Sequence, residues 1–420
     1  MIRQPSPDIP PGCTCTLHDS IADVPEADWI LLVDESRDLA MDRRLIRAQE
    51  ATLADQCRIW TAVVRDAHGQ PVACAMLCLF RVDVVISAVP PIRSVAAWLR
   101  RLYPRLLRIG VLFCGLPAPA GANHLRIAPH ADADAAIACL HAAMHELATQ
   151  HRARMMVFKE FDSADRPVAA SLQRLSYLAG DIPPLFRMGG VFDDFDAYLS
   201  RMRSRYRAQV RRSLRKIEDG GFDVERIAGV DRICQAYGDD LHDLYERTWE
   251  RSDYKLERLS PAFFRAAAEA AQDDGVLTVI RRRACGTAVG FTFSMSRGDT
   301  WHNLYSGVDE TVNGEGDILF NLFYADLACA FERGCDEIRL GQTSDAFKIR
   351  IGGTPLPLRF FVRGTSSLVH AGMRVFSRWL FPAVEPAPPQ RVFSDRPIAS
   401  SPVSPAAAPE HAVTVAAACE

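Results

Sequence analysis

The segment "GQTSDAFKIRIGG", residues 341–353, carries Asp345, Lys348 and Arg350 directly after the strand-like "DEIRL" of 336–340. Side chains just past the carboxyl end of a strand stand where α/β sheets hold their ligands, so an acid and a lysine there can meet a polar substrate. The same residues also make an ordinary surface turn, with Asp345 paired to Lys348 and with Arg350, between Ile349 and Ile351, facing solvent from a short strand. A second group lies upstream, in "YSGVDETVNGEGDILFNLF", residues 305–323. A strand ending near Val308 passes through Asn313, Gly314, Glu315 and Gly316 into a helix that begins close to Asp317. Glycines permit backbone angles that aim successive N–H groups at one anion, and the helix dipole adds to the attraction, so this turn can cradle a pyrophosphate. It can equally be a tight turn before a helix that Asp317 caps. Glu315 repels an anion unless it points away.

The stretch "RMRSRYRAQVRRSLRK", 201–216, holds eight Lys or Arg and no acid, which marks it for an anion or for a solvated face. Leu199, Met202, Tyr206, Val210 and Ile217 recur at helical spacings and form one core-facing stripe. Around that stripe, Arg211, Arg212 and Arg215 either solvate the helix or grip a phosphate-bearing ligand. Like-charged neighbours cost a helix about 0.2–0.5 kcal/mol per pair, which an anionic partner offsets. A further basic stretch, "SVAAWLRRLYPRLLRIGVLF" at 94–113, sets Trp98 and Tyr103 among Arg100, Arg101, Arg105 and Arg108. It reads either as a peripheral membrane contact or, because Pro104 interrupts a helix, as packing between domains.

The elements that must position these groups occur twice. "WTAVVRDAHGQPVACAMLCLF" (60–80) and "LTVIRRRACGTAVGFTFSMS" (277–296) are both hairpins, superposable without a gap at Gly69 and Gly286. Each is followed by a further strand, an amphipathic helix and a short strand, through "AAIACLHAAMHELATQHRARMMVFKE" and "ILFNLFYADLACAFERGCDEIRLG". A hairpin joined to a parallel strand pair with a crossover helix gives a mixed α/β sheet in each half. The expected organisation is a disordered 1–15, a first α/β domain over 16–189, a second over 190–372 and a disordered Pro/Ala-rich tail over 381–420. "GDIPPLFRMGG" (180–190) is the expected connection, and a long helix ending at Gly220-Gly221 opens the second half.

Bulk properties narrow the function. With 420 residues, 48% apolar and 24% charged, the chain has room for two globular domains. A formal net charge of -3 supplies no global field for nucleic acid, DNA included, or for an anionic membrane, so any electrostatic partner must be met by a local patch. Twelve cysteines lie scattered, with no secretory start ahead of them, so the expected setting is cytoplasmic with reduced thiols. Neither Cys74 with Cys78 nor Cys13, Cys15 and His18 has a second ligand pair at zinc spacing, so no metal is expected. No apolar run reaches the roughly 18 residues of a membrane span. GxSxG, HExxH, Walker and GxGxxG patterns are missing, which removes the hydrolase, zinc-protease, nucleotidase and dehydrogenase readings that rest on them.

Together, the arginine-rich helix "YLSRMRSRYRAQVRRSLRKIEDGGF", the strand-loop-helix around Gly314 and Gly316, and "EIRLGQTSDAFKIRIGG" resemble the GNAT acyltransferase superfamily, in its two-domain FemAB-like and CelD-type acetyltransferase branch. The likeness covers most of 190–365, and element order alone carries it in the first half. It implies tandem GNAT-like domains and one donor site, in the second domain, since "APHADADAAI" at the matching place of the first has no glycine. The family pattern Q/R-x-x-G-x-G/A keeps both glycines here and has Thr311 at the Gln/Arg place. The resemblance implies acyl-CoA as co-substrate, held by Asn313, Gly314, Gly316 and Asp317. It implies Lys348 or a strand amide at the oxyanion, Asp345 as proton acceptor, and Tyr305 lining the acyl slot or protonating the leaving thiolate, unless Tyr305 is a packed strand aromatic. Arg211, Arg212 and Arg215 would meet donor or acceptor phosphates. The expected activity is N-acylation of an amine on a small-molecule or cell-envelope-related acceptor. Aminoacyl-tRNA-dependent transfer is one alternative, and a non-catalytic GNAT scaffold in polysaccharide assembly is another.

Overall fold

The computed structural model describes residues 12–83, 108–118, 121–190, 192–252, 256–342, 344–384, 388 and 390–394. The first half supplies β1 (Thr14–His18), β2 (Cys57–Arg65), β3 (Pro71–Asp83), β4 (Arg108–Cys114), β5 (Leu125–Ile127), β6 (Met155–Phe161) and β7 (Leu178–Gly189). The second supplies β8 (Phe222–Ala228), β9 (Gly275–Arg282), β10 (Ala288–Arg297), β11 (Thr300–Val308), β12 (Glu337–Gly341) and β13 (Thr354–Gly364). The helices around the features below are α1 (Arg43–Thr52), α2 (Ala133–Gln150), α3 (Phe195–Arg201), α4 (Ser204–Asp219), α5 (Pro261–Ala271), α6 (Glu310–Gly316), α7 (Ile318–Glu332), α8 (Asp345–Arg350) and α9 (Ser367–Leu380).

Both expected hairpins form, β2–β3 about Gly69 and β9–β10 about Gly286, each glycine at a φ near +70° to +77° that L side chains avoid. The crossover helices are α2 and α7, which lead into β6 and β12. All strands join one sheet in the order β1-β2-β3-β4-β6-β13-β7-β12-β11-β10-β9-β8, with β5 on β3. The two halves exchange their last strands: β7 pairs with β12 of the second half, β13 pairs with β6 of the first, and the two pair with each other.

That exchange corrects the expectation that 180–190 connects two separate units. The segment is the body of β7, at the centre of the sheet. Its pairing with β13 runs irregularly between Leu185↔Leu356 and Ile182↔Leu358, so Pro183 and Pro184 fall where the ladder is already broken. A proline in a central strand is tolerated only at such an irregularity, because it has no N–H to donate.

The long basic helix breaks at Met202 and Arg203 into α3 and α4, and α4 ends at Gly220 as expected. Its stripe of Leu199, Met202, Tyr206, Val210 and Ile217 is buried. The helix expected to be amphipathic at 318–332 is instead covered on nearly all sides, with its polar Asn321 and Asp326 inside. Cys74 and Cys78 are core residues of β3. Among the described residues no group of three or more His, Cys, Asp or Glu is placed to hold a metal ion, and no helix is long and apolar enough to cross a membrane.

Residues 1–11, 94–107 and 395–420, which carry most of the expected disordered ends and the basic stretch, lie outside the described residues. Where those segments are described they are ordered: Thr14 and Cys15 belong to β1, Arg108–Phe113 to β4, and Val392 and Phe393 pack on the core beside α3.

Candidate active site

Strand β11 departs from regular pairing in two ways that together make a cavity. Against β10, Phe293 faces Tyr305 and Ser294 faces Asn303, so Leu304 is an extra, bulged residue. Bulges bend a strand and re-aim its side chains. On its other edge β11 pairs with β12 only over Thr300↔Glu337, Trp301↔Ile338 and His302↔Arg339. Beyond His302 the two parallel strands part, as Gly341, at φ +76°, carries β12 toward β7. Between them opens a cavity of about 170 Å³, lined by Asn303, Leu304 and Ser306 of β11, Leu319 of α7, and Gln342 and Lys348.

Lys348 is the charged group of this cavity. It is 4% exposed, and its Nζ donates to the Gln342 carbonyl at 2.6 Å. The rings of Phe186 and Phe323 stand 6.0 Å away on either side. Burial pulls its pKa from 10.5 down to about 7, against the opposing charge of Asp345. The segment around it is a helix, α8, rather than the expected turn and strand: Phe347 and Ile349 enter the core. Arg350 is exposed on that helix, its guanidinium 5.8 Å from the Phe320 ring. Asp345 is half-buried at the helix start, outside the cavity lining. Among the described residues no ion pair joins it to Lys348, which removes the surface-turn reading.

The two-glycine segment also differs from expectation. Residues 310–316 form the short helix α6, capped by Asp309 through the Thr311 N–H. Asp317 does not cap the next helix. It adopts φ +48° and accepts from Lys216 Nζ of α4 at 2.7 Å, while the Asn313 side-chain oxygen accepts from Leu319 N–H at 3.0 Å. Gly316 is needed for space, because a Cβ there would stand 2.8 Å from Ile318 and 2.9 Å from Phe222; Gly314 has open space around it. Glu315 is drawn aside by Arg282, 2.8 Å away, so its charge does not face the turn uncompensated. Asn321 Nδ2 donates to Gly316 O at 2.8 Å and to Ser213 O at 3.1 Å, fastening the basic helix to the turn.

Arg211, Arg212 and Arg215 are exposed on α4 and make no ion pair among the described residues. Arg212 stands one turn before Lys216 and shares its face, the side turned to Asp317. The basic helix thus reaches the glycine turn through Lys216, and Leu319, fastened to that turn by Asn313, lines the Lys348 cavity.

Tyr305 is not part of that cavity. Its ring packs between Phe263 and Phe264 of α5, centroids 5.5 Å from each, and lines a separate cavity with Gln49 of α1 and His124. Burial pushes its hydroxyl well above the usual tyrosine value. The alternation of β11, interrupted by the Leu304 bulge, puts it there.

Sequence reasoning missed the residues that hold β11 in place. Asp326 of α7, 3% exposed, accepts from Ser294 Oγ and Asn303 Nδ2, both at 2.7 Å, and from Trp301 Nε1 at 3.2 Å. Burial raises its pKa and those donors oppose the shift. The available signal was an acid inside the apolar run "ILFNLFYADLACAF", since a buried carboxyl needs partners.

A family model described as the acetyltransferase (GNAT) domain matches residues 204–349. No curated protein sequence matches the chain. Among solved structures, a tandem GNAT protein from the clavulanic acid biosynthesis pathway, without acetyl-CoA, is 13% identical and covers 84% of this chain and 99% of its own at a TM-score of 0.52. FemX is 14% identical, covering 82% of this chain and 94% of its own at 0.48. L-PGS from Bacillus licheniformis is 12% identical, covering 83% and 99% at 0.47.

Proposed function

We propose that the chain, whose residues 204–349 match the acetyltransferase (GNAT) domain, is a GNAT-fold acyltransferase that moves an acyl group from acyl-CoA to an amine of a small-molecule or cell-envelope-related acceptor. The observation that carries this reading is the buried, depressed-pKa Lys348 in the gap between β11 and β12. An acyl thioester seated in the gap lies along the β11 edge that β12 leaves after His302, where main-chain N–H groups can stabilise an oxyanion. The amine must attack in its neutral form. Lys348, half unprotonated near pH 7, takes its proton directly or through water, a role sequence reasoning gave to Asp345. The C–N bond forms, the C–S bond breaks, and the CoA thiolate takes a proton from solvent.

The exposed arginines of α4 and the turn at 313–317 supply the donor's phosphate contacts in this reading. Replacing Arg212 and Arg215 together by Gln is expected to weaken acetyl-CoA binding about tenfold, while S-acetylpantetheine, which has no phosphate, binds as before. Titration calorimetry with both ligands checks this.

The same arginines also suit an aminoacyl-tRNA. Thermal melts with acetyl-CoA and with charged tRNA separate the two donors, because a ligand that binds only the folded chain raises its midpoint. A shift with acetyl-CoA alone is expected. A shift with tRNA alone overturns the CoA reading, and no shift with either favours a non-catalytic scaffold.

A further inference from the structure

The helix α9 leaves one face to solvent. Leu368, Val375, Phe376 and Trp379 are 84%, 74%, 57% and 63% exposed, four of the seven large hydrophobic side chains exposed among the described residues. They are therefore a patch rather than scattered exceptions. At 100° per residue they share an arc of about 100°. The side of the helix next to this arc, through Val369, Met373 and Leu380, packs on Val362 of β13, Val157 of β6 and Val111 of β4.

Charge indicates what covers the patch. Helix α9 carries exposed Arg374 and Arg378 and no acid, and Arg378 borders the apolar arc. The whole chain carries -3, so this basic edge is a local feature. A tryptophan among aliphatic and phenylalanine side chains, edged by arginines, matches the boundary between lipid head groups and acyl chains.

We propose that α9 docks the protein on an anionic lipid surface, lying in the plane of the surface with Trp379 and Phe376 at the head-group boundary. Arg378, which borders the arc, then meets acidic head groups, with Arg374 one turn before it, an attraction that falls off within a Debye length. A second copy of the chain fits less well. A stable pair buries about 800 Å² per partner, more than four side chains of one helix supply. A two-fold contact would also bring the arginines toward their own copies. The proposal is independent of the acyl-transfer chemistry.

The test is flotation of the full chain with phosphatidylcholine vesicles and with phosphatidylcholine vesicles containing phosphatidylglycerol. The expected result is binding to the anionic vesicles at least about tenfold stronger than to the neutral ones. Phe376→Ser with Trp379→Ser abolishes it, and Arg374→Gln with Arg378→Gln removes the preference for anionic lipid. Both pairs are solvent-facing, so thermal melts of the variants are expected to match the parent. No flotation overturns the proposal, as does equal flotation with both lipids. Flotation unchanged by the Ser pair overturns it too, because another part of the chain, such as the segment between Asp83 and Arg108, then makes the contact. Sedimentation equilibrium showing a dimer that the Ser pair dissociates assigns the face to a second copy instead.

Discussion

Replacing Lys348 by Met is expected to lower kcat/KM for amine acylation by about 100- to 10,000-fold, the range for loss of a positioned general base, while making the fold more stable at neutral pH. The second half of that result follows from the pKa. In the folded chain the amine titrates at about 7, and in the unfolded chain at its ordinary 10.5. Between those values the unfolded chain binds the extra proton, so stability rises with pH across that window and is lowest below pH 7. Methionine keeps much of the side chain's bulk between Phe186 and Phe323 and removes that penalty. The parent's kcat/KM should climb as pH rises through about 7, and the variant should lose that inflection. Denaturant melts and pH–rate profiles of the two proteins check both halves. A variant that is unstable as well as inactive would make Lys348 a structural residue, and an unchanged rate would remove it from the chemistry.

Replacing Asp326 by Ala should have the largest effect on stability of any single change near the site. It leaves the buried donors of Ser294 and Trp301 with no acceptor and Asn303 with only Ser294 Oγ at 3.4 Å, at about 1–3 kcal/mol for each unpaired donor. A total cost of about 2–6 kcal/mol is a large part of the 5–15 kcal/mol that typically separates folded from unfolded chains. Asp326→Asn keeps one acceptor oxygen and should show a smaller fall in denaturant midpoint. Because Asn303 lines the Lys348 cavity, the Asn variant should also bind acyl donor more weakly, whereas a substitution on the far side of the sheet should not.

The repeat explains why so much of the architecture was legible. Gly69 and Gly286 mark two hairpins of apolar, β-forming runs, and the crossover helices α2 and α7 follow them in the same element order. Local signals of this kind survive in any tertiary setting. The strand exchange did not show, because pairing β7 with β12 and β13 with β6 is a choice between partners far apart in sequence. Pro183-Pro184 signalled a break, and the break lies within a strand rather than between domains.

At the site, residue types were readable and directions were not. Lys348 stood out by its place after β12, yet its burial depends on α8 folding as a helix and on the gap left by Gly341. Tyr305 was separated from it by the one-residue bulge at Leu304, which no spacing rule predicts. The glycine turn was found at the right place with the wrong cap: Asn313 took the role expected of Asp317, because Lys216 draws that carboxylate to the basic helix.

Hydrogen–deuterium exchange of the full chain with and without acetyl-CoA locates the donor. Protection is expected in three stretches at once: 303–308 of β11, 313–320 across the glycine turn, and 341–348 around Lys348. Protection confined to 39–49 and 263–267, beside Tyr305, would place the ligand in the other cavity, and no protection anywhere would contradict a donor site between β11 and β12.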